Sequence, residues 1–466
     1  MNTSHAVSAG RMVAGSPGGD TIDLRPSSGA SITSHGDRSV RRRSGGVTDA
    51  SEPTVPSGPT PATRFLATTG LSVAGTAVGL LGATGATTAA AGEGRSGALL
   101  TGLYMSVVLL TSAVSVPYAP RVARRLGPRR AFVWLQALAA GAWVAAGVAL
   151  LLDAPTMPVL LCAAPVFGIT GGLSTVLRPI LTTSYLGASG GTATAFARLS
   201  VASGVGWAIG SLGGGVLLSS IALGWGLVIN GLSIVPLVAT VRSSAPAAEP
   251  STPRASDRPW RTAWSALAGS STLRWTAALG ASSLVFLAPI TSLVVPIAQD
   301  LRQNPLVAGA GLLMAAFSIG EFLSPIAVRR LGPGREDLRA GAVAGAIAGA
   351  ALLVIGLVSA VLVDRLELLV WLVIGVGFGA FRYALKAFFT GAAAEAGAPE
   401  DASVNLAAAM LASGLAAPIG TAMWSGVISR VSADAAVLIG GLGALVVGVV
   451  VAGATRRTPT SPNART

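Results

Sequence analysis

Apolar residues in this chain run on for twenty positions or more before a polar break, with no strand-like alternation and no polar helical face. Such runs lie near 65–91, 98–119, 131–152, 157–181, 196–219 and 222–241, and again near 275–297, 304–328, 339–363, 366–390, 403–429 and 434–455. At ~1.5 Å per residue, each is long enough to cross a hydrocarbon core of ~30 Å as an α-helix. The pattern predicts an all-α membrane protein with twelve transmembrane helices: six spans, a linker, then six more. Its expected parts are a polar tail over 1–63, a bundle over 64–241, a linker over 242–274, a second bundle over 275–455 and a short tail over 456–466.

The polar breaks predict orientation. The connections after spans 2, 6 and 8 hold Arg121, Arg124, Arg125, Arg129, Arg130, Arg242, Arg254, Arg258, Arg261, Arg274, Arg329, Arg330, Arg335 and Arg339. The five connections on the opposite side hold Arg95, Arg302, Arg365 and Arg430. The positive-inside rule then puts both termini in the cytoplasm and the chain in the cell membrane as a multi-pass protein. The connection after span 10 departs from the rule with Glu395, Glu400 and Asp401. Ser, Gly, Pro and Thr dominate residues 1–63, which are expected to be disordered. Arg41, Arg42 and Arg43 lie about twenty residues before the first apolar run, too far for an export signal, and suit contact with anionic lipid. In the linker, Trp260, Trp264, Leu267 and Leu273 alternate with Arg258, Arg261 and Arg274. An interfacial amphipathic helix and a plain tether are both open there.

Composition agrees with a lipid environment: 52% of the residues are hydrophobic, 11% are charged and 60 are glycine. The net charge of +13 sits mostly between the apolar runs, so membrane orientation explains it and nucleic-acid binding is not expected. Cys162 is the sole cysteine and lies in an apolar run, and His5 and His35 both lie in the leader. Within the membrane this leaves no disulfide, thiolate cluster, imidazole relay or catalytic triad, and neither a metal site nor a cofactor is expected. Lys386 is the single lysine and follows Leu385, so the chain has no Gly-Lys-Ser/Thr phosphate loop and ATP is not the expected energy source.

The two halves repeat. Pro120-Arg-Val-Ala-Arg-Arg-Leu-Gly-Pro-Arg-Arg130 returns as Pro325-Ile-Ala-Val-Arg-Arg-Leu-Gly-Pro-Gly-Arg335, identical at seven of eleven positions at an offset of 205. At 208, Gly171, Leu177, Arg178 and Thr182 match Gly379, Leu385, Lys386 and Thr390. At 210, Ala202-Ser203-Gly204 and Ile209-Gly210 match Ala412-Ser413-Gly414 and Ile419-Gly420. Two six-span halves of like orientation imply a parallel repeat, with a substrate site between them near the midplane.

The basic loop after span 2 resembles the signature loop of the major facilitator superfamily (MFS), through Arg125, Gly127, Arg129 and Arg130; in the second copy, Arg330 and Gly332 fill corresponding places. Pro120 replaces the family's first glycine and Arg124 its aspartate, which removes the carboxylate that a gating ion pair there would need. Span 5 resembles the family's antiporter motif through Gly206, Gly210, Gly214 and Gly215, with Ser211 in the proline's place. The resemblance implies two pseudo-symmetric six-helix bundles and a secondary transporter of a small-molecule substrate. The glycine motif leans toward drug-like efflux by antiport, coupled to a proton or another ion. Uptake or exchange of an anionic metabolite is the alternative, ahead of a non-transporting scaffold or an enzyme, and a monomer is expected.

Gly206, Gly210 and Gly214 recur every fourth residue and clear a helix face, as Gly341, Gly345 and Gly349 do in span 9; static packing and a sliding gate are both open. Pro165, Pro236, Pro289, Pro296 and Pro418 are points where spans can loosen. Ionisable groups in hydrocarbon are costly, which singles out Arg178, Arg382, Lys386 and Glu321. Arg178 and Lys386 occupy equivalent places in the two halves, and Arg382 lies one turn before Lys386, so a cationic clamp or gate and simple snorkelling are both open. Glu321, one turn before Pro325, is a candidate carrier of the coupling proton, or else a partner for Arg329, Arg330 or Arg382. Arg198 is expected to mark the start of span 5, and Asn230-Gly231-Leu232-Ser233 in span 6 to be a packing feature.

Overall fold

A bilayer core offers no water to peptide groups, so a long apolar run is committed to forming its hydrogen bonds within one helix. The computed structural model describes residues 60–92, 96–186, 191–244, 258–300, 306–331, 338–359, 365–396 and 402–455, and no strand occurs among them. Gly332, Arg335, Glu400, Asp401, both histidines and the Arg41–Arg43 run lie outside the described residues.

The first half comprises α1 (Pro61–Ala90), α2 (Ser96–Ser115), α3 (Ala119–Leu126), α4 (Pro128–Leu151), α5 (Thr156–Leu186), α6 (Gly191–Leu218) and α7 (Gly224–Ser243). A short helix, α8 (Pro259–Gly269), precedes the second half. That half comprises α9 (Ser271–Ser282), α10 (Pro289–Ser292), α11 (Val294–Asp300), α12 (Leu306–Leu331), α13 (Leu338–Ser359), α14 (Arg365–Ala394), α15 (Ala402–Arg430) and α16 (Ala433–Thr455). Singly or joined end to end, these helices make twelve segments long and apolar enough to cross a membrane among the described residues, α2 running on into α3 as one and α9 into α10 as another. The same neighbours recur in each half, α2 with α5 and α12 with α14, α4 with α7 and α13 with α16. The halves meet along two flanks, α6 on α12 and α2 on α15.

Two boundaries differ from the sequence reading. A 3-10 turn at Val116–Tyr118 joins α2 to α3, so most of the basic loop is helical, and only Gly127, at a φ of +78°, makes the turn into α4. Span 7 is broken: a π-helical segment at Ser283–Leu287, then Pro289, divides α9 from α10 and α11. Arg198 opens the apolar span Arg198–Leu218, as expected, and α6 itself continues two turns further back to Gly191.

The basic turn holds the first half together. Arg129 donates from Nε to the Val241 carbonyl at 2.6 Å and from Nη2 to the Arg242 carbonyl at 2.8 Å, satisfying carbonyls in the last turn of α7. Tyr185, at the end of α5, donates to the Ser244 carbonyl at 2.9 Å and stacks on Phe65 of α1 at 4.8 Å. Helix α8 buries Ala263 and Leu267 in a cluster with Phe389, Ala408 and Leu411, and leaves Trp264 exposed. Arg274 closes it by donating to the Ala268 carbonyl at 2.6 Å.

Lipid tails are as apolar as leucine, so close backbone approach must supply much of the attraction between these helices. Gly206, Gly210 and Gly214 face α1: a methyl group built on Gly206 would strike the Gly70 carbonyl, and one on Gly210 the Ala74 carbonyl. Val78 crowds Gly214 at 2.9 Å. Gly215 faces the other half, where its added methyl would lie 3.0 Å from the Cα of Gly311.

Call the end where Gly127 joins α3 to α4 the near end. At the far end the halves are sealed by one apolar cluster: Val78 and Leu81 of α1, Ala98 of α2 and Leu218 of α6 join Leu293, Val294, Ile297 and Val307. There Asp300 accepts the Ala433 amide at 2.6 Å, so the end of broken span 7 caps the start of α16. Gly210→Leu should lower stability by about 1–3 kcal/mol or more through overpacking. Gly141→Ala, where an added methyl meets no atom within 4 Å, should not. Thermal unfolding of the purified variants, followed by intrinsic tryptophan fluorescence, measures the difference.

Candidate functional site

Helices α12 and α14 touch backbone to backbone: a methyl built on Gly320 would sit 2.8 Å from the Cα of Gly379. Phe317 and Phe378 then meet edge to face at 5.4 Å. This contact carries Glu321, one residue past Gly320, onto the face of α14 that presents Tyr383 and Lys386.

Glu321 is only 7% exposed. One carboxylate oxygen accepts the Tyr383 hydroxyl, while Oε2 is buried without a hydrogen-bond partner among the described residues. Lys386 and Arg382 both act on Glu321 electrostatically. Both also flank the Tyr383 ring, the Lys386 ammonium 5.6 Å and the Arg382 guanidinium 5.4 Å from its centroid. From the other half, Arg178 of α5 acts on Lys386. Helices α5 and α14 do not pack on one another, and Lys386 is exposed while Arg178, Arg382 and Tyr383 are half-buried. The cluster therefore faces the space between the halves.

All four ionisable residues singled out in the spans converge here. Glu321 has Arg382 and Lys386 as its cationic neighbours, not Arg329 and Arg330, which are exposed in the last turn of α12. Arg125 and Arg130 are exposed near the basic turn, and Arg129 is engaged with α7. The glycines of the antiporter-like motif pack α6 on α1 and α12, away from the charges.

Two residues of the site carried no signal that was used. Tyr383 is a hydroxyl between two cations in an apolar run. Pro179 directly follows Arg178 inside α5 and deprives the Thr175 carbonyl of its intrahelical donor, a local loosening beside the cation. The equivalent of Arg382 in the first half is Ser174, whose Oγ accepts Gln136 Nε2 at 3.0 Å. A neutral pair thus stands where the second half has charge.

The arrangement suits recognition of a charged ligand: hydrogen-bonding cations, one carboxylate able to hold or release a proton, and an aromatic hydroxyl. No group of acidic, His or Cys side chains able to hold a metal occurs among the described residues. A shallow groove lined by Ala140, Val144, Val148, Leu232 and Val235 lies on the outer face of α4 and α7; without a charged group, it has the character of lipid-facing surface.

No curated protein matches this sequence. The fold recurs in solved structures. One is described as the human organic anion transporter MFSD10 (TETRAN), 17% identical, covering 84% of this chain and 100% of that one, with a TM-score of 0.59. The nucleoside transporter NupG is 14% identical, covering 86% and 100% at a TM-score of 0.59. A D-xylose-proton symporter is 13% identical, covering 84% and 96% at a TM-score of 0.64. Family and fold are those of transporters, which are not enzymes. With the Major Facilitator Superfamily model matching residues 62–421, this multi-pass membrane protein belongs to the major facilitator superfamily.

Proposed function

We propose that the chain is a secondary active transporter that moves a small organic compound across the cell membrane by alternating access, with both termini in the cytoplasm. The observation that carries this reading is the convergence of Arg178 from one half with Arg382, Lys386 and Glu321 from the other, while the far end is closed by apolar packing. Charges shared across the boundary between two bundles are suited to sensing a ligand and to changing partners when the bundles rock. With the arginine-rich connections inside, the far end, where Val78, Leu81 and Leu218 join Val294 and Val307, lies toward the outside.

Glu321 is our choice for the coupling group. It is the one carboxylate acting on the cluster among the described residues, it is buried, and Tyr383 holds one of its oxygens. Efflux by proton antiport is the direction we favour, on the likeness of the α6 glycines to the antiporter motif. Uptake or exchange of an anionic metabolite is the second reading, favoured by three cations against one carboxylate. The solved relatives, whose descriptions name organic anions, nucleosides and xylose, do not choose between them.

A thermal-shift screen of metabolites and drug-like compounds on the purified protein, then flux of the hits into proteoliposomes, tests the proposal. An imposed proton gradient should drive accumulation without ATP; hits that bind but never cross would refute it. Arg178→Ala and Lys386→Ala, at equal abundance in the membrane, should cut flux by about tenfold or more, the loss expected for a charge-assisted hydrogen bond. Parent rates would reduce both to snorkelling side chains. Glu321→Gln should abolish proton movement coupled to substrate while sparing downhill exchange; unchanged coupling would exclude Glu321 as the carrier.

A further inference from the structure

The charge at the site does not balance. Arg178, Arg382 and Lys386 bring three positive charges, and Glu321 is the one carboxylate acting on them among the described residues. Glu321 is shared by Arg382 and Lys386, both of the second half. Across the gap, no carboxylate among the described residues acts on Arg178, and its electrostatic neighbour is Lys386, of like sign. One positive charge thus remains in surplus on each side of the space between the halves. A surplus of one sign between low-dielectric walls draws ions of the opposite sign into the space. A cationic pair around a carboxylate would be self-sufficient, but this arrangement is not.

We infer that the site takes an organic dianion with a negative group at each end of its skeleton, one held by Arg178 and the other by Lys386 with Arg382. Such a molecule neutralises one surplus charge in each half and bridges them. A compact dianion such as inorganic phosphate puts both charges at one point, and a monoanion leaves one half uncompensated. Glu321 sets the count: ionised and held by Tyr383, it keeps the second half at one surplus positive charge instead of two. Uncharged compounds leave both surplus charges where they are. This inference rests on the reading of the cluster as the substrate site and deepens it.

The test measures thermal stabilisation of the full-length purified protein by the α,ω-dicarboxylates succinate, glutarate, adipate and pimelate. The corresponding monoamides, the corresponding diamides and inorganic phosphate are measured beside them. At one or two chain lengths the dicarboxylate should bind about tenfold or more tightly than its monoamide, the margin of one charge-assisted contact. The diamide should give no shift. Arg178→Gln should bring the dicarboxylate down to the affinity of the monoamide and leave the monoamide unchanged, and Arg178→Lys should restore most of the difference. Should Arg178→Gln fail to fold, Lys386→Gln makes the same comparison from the other side. Equal binding of dicarboxylate and monoamide, preference for phosphate or a diamide, or no stabilisation by any dicarboxylate would each overturn the inference. Flux separates it from the transport proposal. A dicarboxylate that binds without crossing refutes transport and leaves the substrate class standing, whereas transport of a neutral compound does the reverse.

Discussion

In hydrocarbon a peptide group without a partner costs several kcal/mol, and this constraint governs everything else in the molecule. It makes each apolar run a helix. It also removes the hydrophobic drive that would otherwise pack helices together, because a leucine gains little by leaving lipid for protein. What remains is close contact, and glycine supplies it. Gly206, Gly210 and Gly214 bring α6 onto α1, Gly215 brings it onto Gly311, and Gly320 brings α12 onto Gly379. The last contact also sets up the chemistry, since a wider spacing would carry the Glu321 carboxylate away from the Tyr383 hydroxyl.

Run length made the number and order of the spans legible, because it depends on residues close together in sequence, and the repeat made the two halves legible, because each copy kept its motif at a nearly constant offset. Pro289 signalled a loosening of span 7, but the π-helical turn before it at Ser283–Leu287 was not legible, since it answers to packing against α15 and α16. Ionisable side chains marked the site because they are scarce in the spans, yet their convergence needed the fold. Tyr383 escaped notice because a tyrosine in an apolar run has no necessary chemistry until Glu321 is placed beside it. Arg129 had the opposite fate. It fits a signature loop associated with gating, whereas its guanidinium holds the last carbonyls of α7, 112 residues away in sequence, and no local pattern encodes that partner.

The repeat preserved architecture more faithfully than chemistry. Arg178 and Lys386 stand at equivalent positions, but Arg382 faces a first-half counterpart, Ser174, that is satisfied by Gln136. Glu321 belongs to the second half alone, at the level where the first half has the apolar turn at Val116–Tyr118. A symmetric pair of charges would bind a symmetric ligand equally in either bundle. Under the proposed function, Arg382 and Glu321 make the second half the stronger anchor and the one that exchanges a proton.

A consequence follows for how occupancy governs motion. Arg178 and Lys386 are like charges on opposite bundles, so without a ligand they oppose approach of α5 and α14. The far end meanwhile is held by apolar contact among Val78, Leu81, Leu218, Val294 and Val307, which is indifferent to charge. Apolar contact crosses at the near end too, where Val116 and Ala119 join Ala407 and Met410, so the two cations bear on the space between α5 and α14 and not on the flanks. An anion lying between the two cations turns the repulsion into attraction on both sides and supplies the differential free energy that a shift between two states requires. Under the substrate class inferred above, the charge that recognises the ligand is also the charge that separates α5 from α14 in its absence, so binding and the approach of these two helices are one electrostatic event.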